Sequence, residues 1–387
     1  MRIEVLTFLR FVAAAVVVIF HFGRKSSIVA ASPGFLTAGP EMVSFFFVLS
    51  GFVLVVSHWN RTGEPLWRFY WARFWRIAPI YYVAFAATVM LRPHYDARML
   101  AAQASFLQSW LLGLAITVNF PAWSISVEMF FYAIFPFVLS LARLPRWRPR
   151  TLLTASLAAW ALTQGVVVYL ANSPAGASPY MGETSYFPLV HLSSFLLGVM
   201  GGAWYRTQGA SRPYHSLSNS LLATVGLIVG YLACEHRAQW ASLGNVVIPT
   251  AAGILSPLFL AIILALARAN GPLARFFSRK PFRALGEASY GVYILQYPVL
   301  AAYVRYLPLP HEQAVSNELS TEHFLRYAGI LLVLSIASAY LFEKPLRRFM
   351  SNLVRNTRPR PLANQVEPGP AVALVDTVPA PSERQIG

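Results

Sequence analysis

Apolar runs of near-spanning length recur along the chain from Leu6 to Phe342, and nothing else in the sequence limits the fold so tightly. The hydrocarbon core of a bilayer takes roughly 20 helical residues to cross. An unpaired backbone amide or carbonyl is costly in lipid, so each run must be a helix or a strand of a closed barrel. Barrel strands alternate polar and apolar residues, and these runs do not. The expected fold is all-α, a polytopic membrane protein of about ten transmembrane helices. Composition agrees: 56% of residues are hydrophobic and 12% charged, against roughly a quarter charged in soluble domains.

The spans are read at 5–22, 41–57, 77–91, 123–142, 151–171, 188–205, 220–234, 246–268, 287–305 and 325–343. The first is not read as a cleaved signal peptide, because Arg10 and His21 interrupt its apolar region. A further run at 105–118, SFLQSWLLGLAITV, is short and reads as re-entrant or interfacial. Its status decides the side of every later loop. If it does not cross, most of the 31 lysines and arginines fall on one side, while the opposite loops hold few, such as Arg24, Lys25, Arg92, Arg98 and Arg237. That asymmetry is the positive-inside pattern, so both termini are expected to be cytoplasmic, in the inner (plasma) membrane. The net charge of +16 is therefore read as a topology signal and not as a nucleic-acid face. A single cysteine, Cys234, rules out an intrachain disulfide or a multi-cysteine metal site. Residues 1–350 are read as one transmembrane domain, and the polar, proline-rich 351–387 as a disordered cytoplasmic tail.

Ionisable groups inside spans point to function, since a charge at mid-membrane costs about 2.5–3.5 kcal/mol. Arg10 and His21 stand eleven residues apart in the first span. At 100° per residue they share one face, separated by roughly 16 Å along the axis. Either that face lines an internal cavity, with His21 as general base and Arg10 on an anionic donor, or the two residues snorkel to opposite interfaces. In FPAWSISVEMFFY, Pro121 suits a helix start, Ser124 is free to cap it or to touch a ligand, and Glu128 shares a face with Tyr132. The Glu128 carboxylate suits acid–base chemistry, the orienting of a histidine, or a structural ion pair. Arg73 and Arg76 fall at i, i+3 in RFYWARFWRIAPIYY, matching either the phosphates of a cytoplasmic nucleotide or plain positive-inside anchoring. Ser289, Tyr290, Tyr293 and Gln296 put polar groups along a late helix. No metal-ligand spacing, nucleophile elbow or phosphate loop is present. Direct attack by an acceptor hydroxyl is then more economical than a covalent intermediate.

In their order, LRFVAAAVVVIFHF, FFFVLSGF, RFWRIAPIYY, WSISVEMFFYAIFP, SSFLLGVMGG, LGEASYGVYILQYPV and FEKPLRRF resemble acyltransferase family 3. This is a family of multi-spanning membrane O-acyltransferases acting on bacterial surface polysaccharides, lipids and macrolides. The resemblance runs from about Leu6 to Phe349. It implies His21 and Arg10 as the essential pair, Arg73 and Arg76 near an acyl-CoA donor, and Glu128 as a polar partner. Trp123, Ser124, Tyr132, Ser289 and Tyr290 belong to the same motifs and are expected to bind donor or substrate. Three positions depart from the family pattern: Ser44 where an acidic residue is usual, His191 where arginine is expected, and Gln296 for a common histidine. Members acting on peptidoglycan or O-antigen often carry an extra periplasmic domain, which this sequence lacks, so a glycolipid, lipid-linked sugar or small glycoside is the expected acceptor. The expected reaction is transfer from acyl-CoA, acetyl-CoA foremost, as a cosubstrate with no bound cofactor. Catalysis is expected from His21 and Glu128. A transporter or flippase of a polar lipid or sugar is the rival reading. The partners expected are the bilayer, the donor and a carbohydrate or glycolipid, with no nucleic acid.

Overall fold

A computed structural model describes residues 4–144, 148–174, 181–209, 216–269, 271–307, 309–316 and 318–356. The tail expected to be disordered falls almost wholly outside them. The protein is all-α. Its long helices are α1 (Glu4–Phe22), α2 (Gly39–His58), α3 (Leu66–Leu91), α4 (Trp123–Ala142), α5 (Pro149–Asn172) and α6 (Pro188–Trp204). They continue as α7 (Ser216–Glu235), α8 (Ser256–Arg268), α9 (Lys280–Tyr306), α10 (Thr321–Ala337) and α11 (Lys344–Asn356). Proline stands in the first turn of α2, α5, α6, α8 and α9, where its missing N–H costs nothing. Pro79, Pro136 and Pro298 lie inside α3, α4 and α9, as membrane helices tolerate.

Among the described residues, eight helical segments are long and apolar enough to cross a membrane. The expected ten includes two that fall short, each for a physical reason. The run expected at 246–268 is broken by Pro249 and by Gly253 in the left-handed region (φ 94°), so α8 keeps only 13 residues. Residues Ser242–Leu243 and Val246–Val247 form a small antiparallel hairpin ahead of it. At 27 residues α9 is long enough, but Glu287, Ser289, Tyr290, Tyr293 and Gln296 dilute its apolar character. It is an inner helix, buried against α1, α3 and α10. The 105–118 stretch is not a spanning helix. It makes one 3₁₀ turn at Gln108–Trp110, with Phe106 (φ 59°) and Gly113 (φ 79°) left-handed. Its polar side chains stitch it to the start of α4: Gln108 Nε2 donates to the Ala122 carbonyl at 2.8 Å and Ser109 Oγ to the Trp123 carbonyl at 2.8 Å.

In lipid, water exclusion does not drive helices together, and close van der Waals packing must. The α2–α6 pair achieves it with glycine. A Cβ on Gly198 would stand 2.0 Å from the Val48 carbonyl oxygen, and one on Gly51 would stand 2.4 Å from that of Phe195. Gly286 plays the same part between α9 and α1, where a Cβ would lie 2.3 Å from the Thr7 carbonyl oxygen. These contacts make α1, α2, α6 and α9 the centre of the molecule. By contrast α5 is peripheral; its buried residues are Ser156 and Gln164, the latter donating to the Ala252 carbonyl at 2.9 Å.

Candidate active site

Arg10, Arg76 and Glu128 converge from α1, α3 and α4 on two adjoining cavities, of about 270 Å³ and about 80 Å³. Both are also lined by Ser289 and Tyr290 of α9, while Arg73, Ser124 and Tyr132 border the smaller. Glu128 is held by its own helix and by α2: Oε1 accepts from Tyr132 Oη at 2.6 Å and from Ser50 Oγ at 3.3 Å. The i, i+4 spacing places the phenol there. Among the described residues no arginine lies within ion-pair distance of Glu128, although Arg10 and Arg73 stand near enough for their charges to act on it. Ser289 donates within its own helix to the Gly286 carbonyl at 2.8 Å, while Tyr290 Oη donates to the Ile77 carbonyl at 3.1 Å and ties α9 to α3. Ser124 and Tyr293 share a hydrogen bond of 2.8 Å.

The arginines are not equivalent. Arg73 Nη2 donates to His58 Nε2 at 3.3 Å, and its guanidinium carbon lies 5.8 Å from the Tyr132 ring centroid. His58 Nδ1 in turn donates to the Leu54 carbonyl at 3.0 Å, which fixes Nε2 as the acceptor. Arg10 and Arg76 both line the cavity, and neither has a hydrogen-bond or ion-pair partner among the described residues. They share it with the carboxylates of Glu128, Glu287 and Glu343, which offset part of the repulsion between the two guanidiniums.

His21 does not line either cavity. It sits further along the face of α1 that packs on α9, roughly 16 Å from Arg10 by helix rise. Its Nδ1 pairs with Gln296 Oε1 at 2.8 Å, and its ring meets the Phe120 edge with centroids 4.7 Å apart. The shared face and the separation along the axis are both as expected, and His21 stands outside the space that Arg10 lines. Trp123 stands aside, packed on His191, Phe47 and Tyr186. His191 is fully buried and donates through Nε2 to the Ser185 carbonyl at 2.8 Å. Ser44 is buried and donates to the Ala251 carbonyl at 3.4 Å.

Two groups of residues escaped the sequence reading. His58 is one, since a histidine at a helix end looks interfacial until the next helix brings Arg73 back to it. The other is the far wall of the larger cavity, with Glu287, Glu343, Lys344 and Arg347. A π-helical segment, Ser338–Glu343, carries Glu343 there, and Lys344 Nζ bonds Glu287 Oε2 at 2.5 Å. FEKPLRRF was the available signal, and its charges read as topology. Among the described residues no group of three or more His, Cys, Asp or Glu side chains is arranged to hold a metal.

A polytopic helical bundle with an arginine-lined cavity and a buried histidine is the class to which fold and site assign the molecule. The chain belongs to acyltransferase family 3: residues 3–344 match its acyltransferase domain. It is 27% identical to the acyltransferase MdmB of Streptomyces mycarofaciens, over 95% of this chain and 96% of that protein. It is 24% identical to the O-acetyltransferase OatA of Staphylococcus aureus, over 76% of this chain and 49% of the relative. The putative peptidoglycan O-acetyltransferase YrhL of Bacillus subtilis is 24% identical over 79% of this chain and 50% of its own. The chain thus spans nearly all of the first relative and about half of the other two. No solved structure matches. The protein is a membrane-embedded acyltransferase, and the transporter alternative is set aside on this ground.

Proposed function

We propose that the protein moves an acyl group, acetyl foremost, from acyl-CoA to a hydroxyl of a carbohydrate or glycolipid acceptor. What carries the donor assignment is the pair of unpartnered guanidiniums, Arg10 and Arg76, facing one cavity. Guanidinium matches phosphate with two parallel hydrogen bonds, and a nucleotide thioester supplies such phosphates. Arg73, oriented by His58, adds a third positive charge at the same place. The phosphates lie at the Arg10 end, and the pantetheine arm extends along the α1–α9 face towards His21. There the acceptor oxygen attacks the thioester carbonyl while His21 Nε2 takes the hydroxyl proton. The new C–O bond forms, the C–S bond breaks, and the imidazolium returns its proton to the departing CoA thiolate. Glu128, fixed by Tyr132 and Ser50, balances the arginine charge and holds the α4 wall.

The distribution of basic residues supports an orientation with both termini cytoplasmic in the inner membrane, so donor enters from the cytosol. MdmB, OatA and YrhL are named as acyltransferase, O-acetyltransferase and putative peptidoglycan O-acetyltransferase, which supports a hydroxyl acceptor. The test is CoA release by the purified, reconstituted protein given acetyl-CoA and a panel of hydroxylated glycosides and glycolipids. Acceptor-dependent release with a matching mass gain of one acetyl group is expected. Acceptors left unmodified across acyl-CoAs of several lengths would refute the proposal.

A further inference from the structure

Gln296 is fixed from one side by a group that offers no choice. Its Nε2 lies 2.6 Å from the Tyr293 carbonyl oxygen, and a carbonyl only accepts, so the amide nitrogen must face it. The amide oxygen is thereby turned to His21, 2.8 Å from Nδ1. An amide oxygen also only accepts, so Nδ1 must carry the hydrogen. In the neutral imidazole this leaves Nε2 with the lone pair. Among the described residues Nε2 has no hydrogen-bond partner.

The surroundings hold this arrangement from three directions. Tyr327 Oη of α10 donates to the Gln296 carbonyl at 2.9 Å, fixing α9 at that turn. Asn119 Nδ2 donates to the Ile294 carbonyl at 3.0 Å, which brings the neighbouring Phe120 against the His21 ring. Gln296 itself is completely buried, so water does not compete for either end of its amide. An amide of this kind is a one-way selector: backbone carbonyl, amide nitrogen, amide oxygen, Nδ1–H, free Nε2.

We infer that Gln296 is a positioning residue that sets the tautomer of His21, presenting Nε2 as the proton acceptor for the incoming hydroxyl. The inference rests on the acyl-transfer reading for its consequence in rate, but not for the tautomer itself. It also gives a reason for glutamine at this position: it supplies an acceptor to Nδ1 while staying uncharged in a buried site.

The test combines kinetics with nitrogen-15 NMR of histidine-labelled protein, the His21 signals being assigned by their loss in His21→Ala. Gln296→Met keeps the side-chain length and removes the acceptor, whereas Gln296→Glu keeps an acceptor oxygen towards His21. In the wild type His21 is expected to be protonated on Nδ1. In Gln296→Met the two tautomers should mix. Its kcat should fall at least about tenfold, short of the roughly 10²- to 10⁴-fold that a positioned base contributes in all. The KM for acetyl-CoA should stay within about twofold, because the arginine end is untouched. Gln296→Glu should recover most of kcat. A Gln296→Met protein with unchanged tautomer, or with kcat near wild type, would overturn the inference, as would a Glu variant no better than Met. The NMR reads any inserted protein whether or not it transfers acyl groups, so failure of the pairing and failure of the transfer reading show up separately.

Discussion

Arg10 and Arg76 line the larger cavity with no direct hydrogen-bond or ion-pair partner among the described residues, and that has a measurable consequence. Arg10→Ala and the Arg73→Ala/Arg76→Ala double change should each weaken acyl-CoA binding, by about 1.5–3 kcal/mol for each charged hydrogen bond lost. Equilibrium binding of a non-hydrolysable acyl-CoA analogue reads this directly. Arg76→Lys should regain part of the loss only, because an ammonium cannot form the two-pronged contact with phosphate. Unchanged affinity in the double variant would return both arginines to an anchoring role. At this scale the sequence is informative about residue type and about spacing along one helix, and silent about which side chains the other helices bring to it. Arg10 and His21 share the α9-facing side of α1 as the 3.6-residue period requires. That only Arg10 lines the cavity depends on where α3, α4 and α9 place their side chains. Trp123 belongs to an aromatic cluster for the same reason: a motif fixes neighbours along the chain, not the direction of the wall.

Between helices, the controlling contacts are made by backbone against backbone. Gly198→Val would force a side chain into the Val48 carbonyl, so α2 and α6 must separate. A loss of about 1–3 kcal/mol of stability is expected for such overpacking, read as earlier thermal unfolding in detergent. Gly165→Val is the control, since nothing lies within 4 Å of a Cβ there. Equal effects from the two changes would mean that the α2–α6 crossing is not held by its glycines. Apolar run length located most of the helices, because in lipid it is the one property a span cannot do without. It misjudged the start of α8, where a left-handed glycine ends a run that composition alone would continue. Polar, proline-rich composition places the tail from residue 351; α11 runs to Asn356, and Trp71 Nε1 donates to the Met350 carbonyl at 3.3 Å. The helix α9 was legible by its polar side chains, and those same residues line the cavities and reach His21.

Taken whole, the proposed reading gives the molecule a donor end at the arginines and a catalytic end at His21, and its orientation decides which side each faces. Reporters fused after Arg148 and Arg279 should read cytoplasmic, and one at His311 external, as the positive-inside bias requires. A cytoplasmic reading at His311 would reverse the proposed direction of donor entry. The most direct test of the central claim is turnover by His21→Ala, normalised to correctly inserted protein, with acyl-CoA affinity measured on the same preparation. A general base contributes roughly 10²- to 10⁴-fold, so turnover should fall by that factor while affinity for acyl-CoA stays near wild type. Near-normal turnover in His21→Ala would contradict the mechanism.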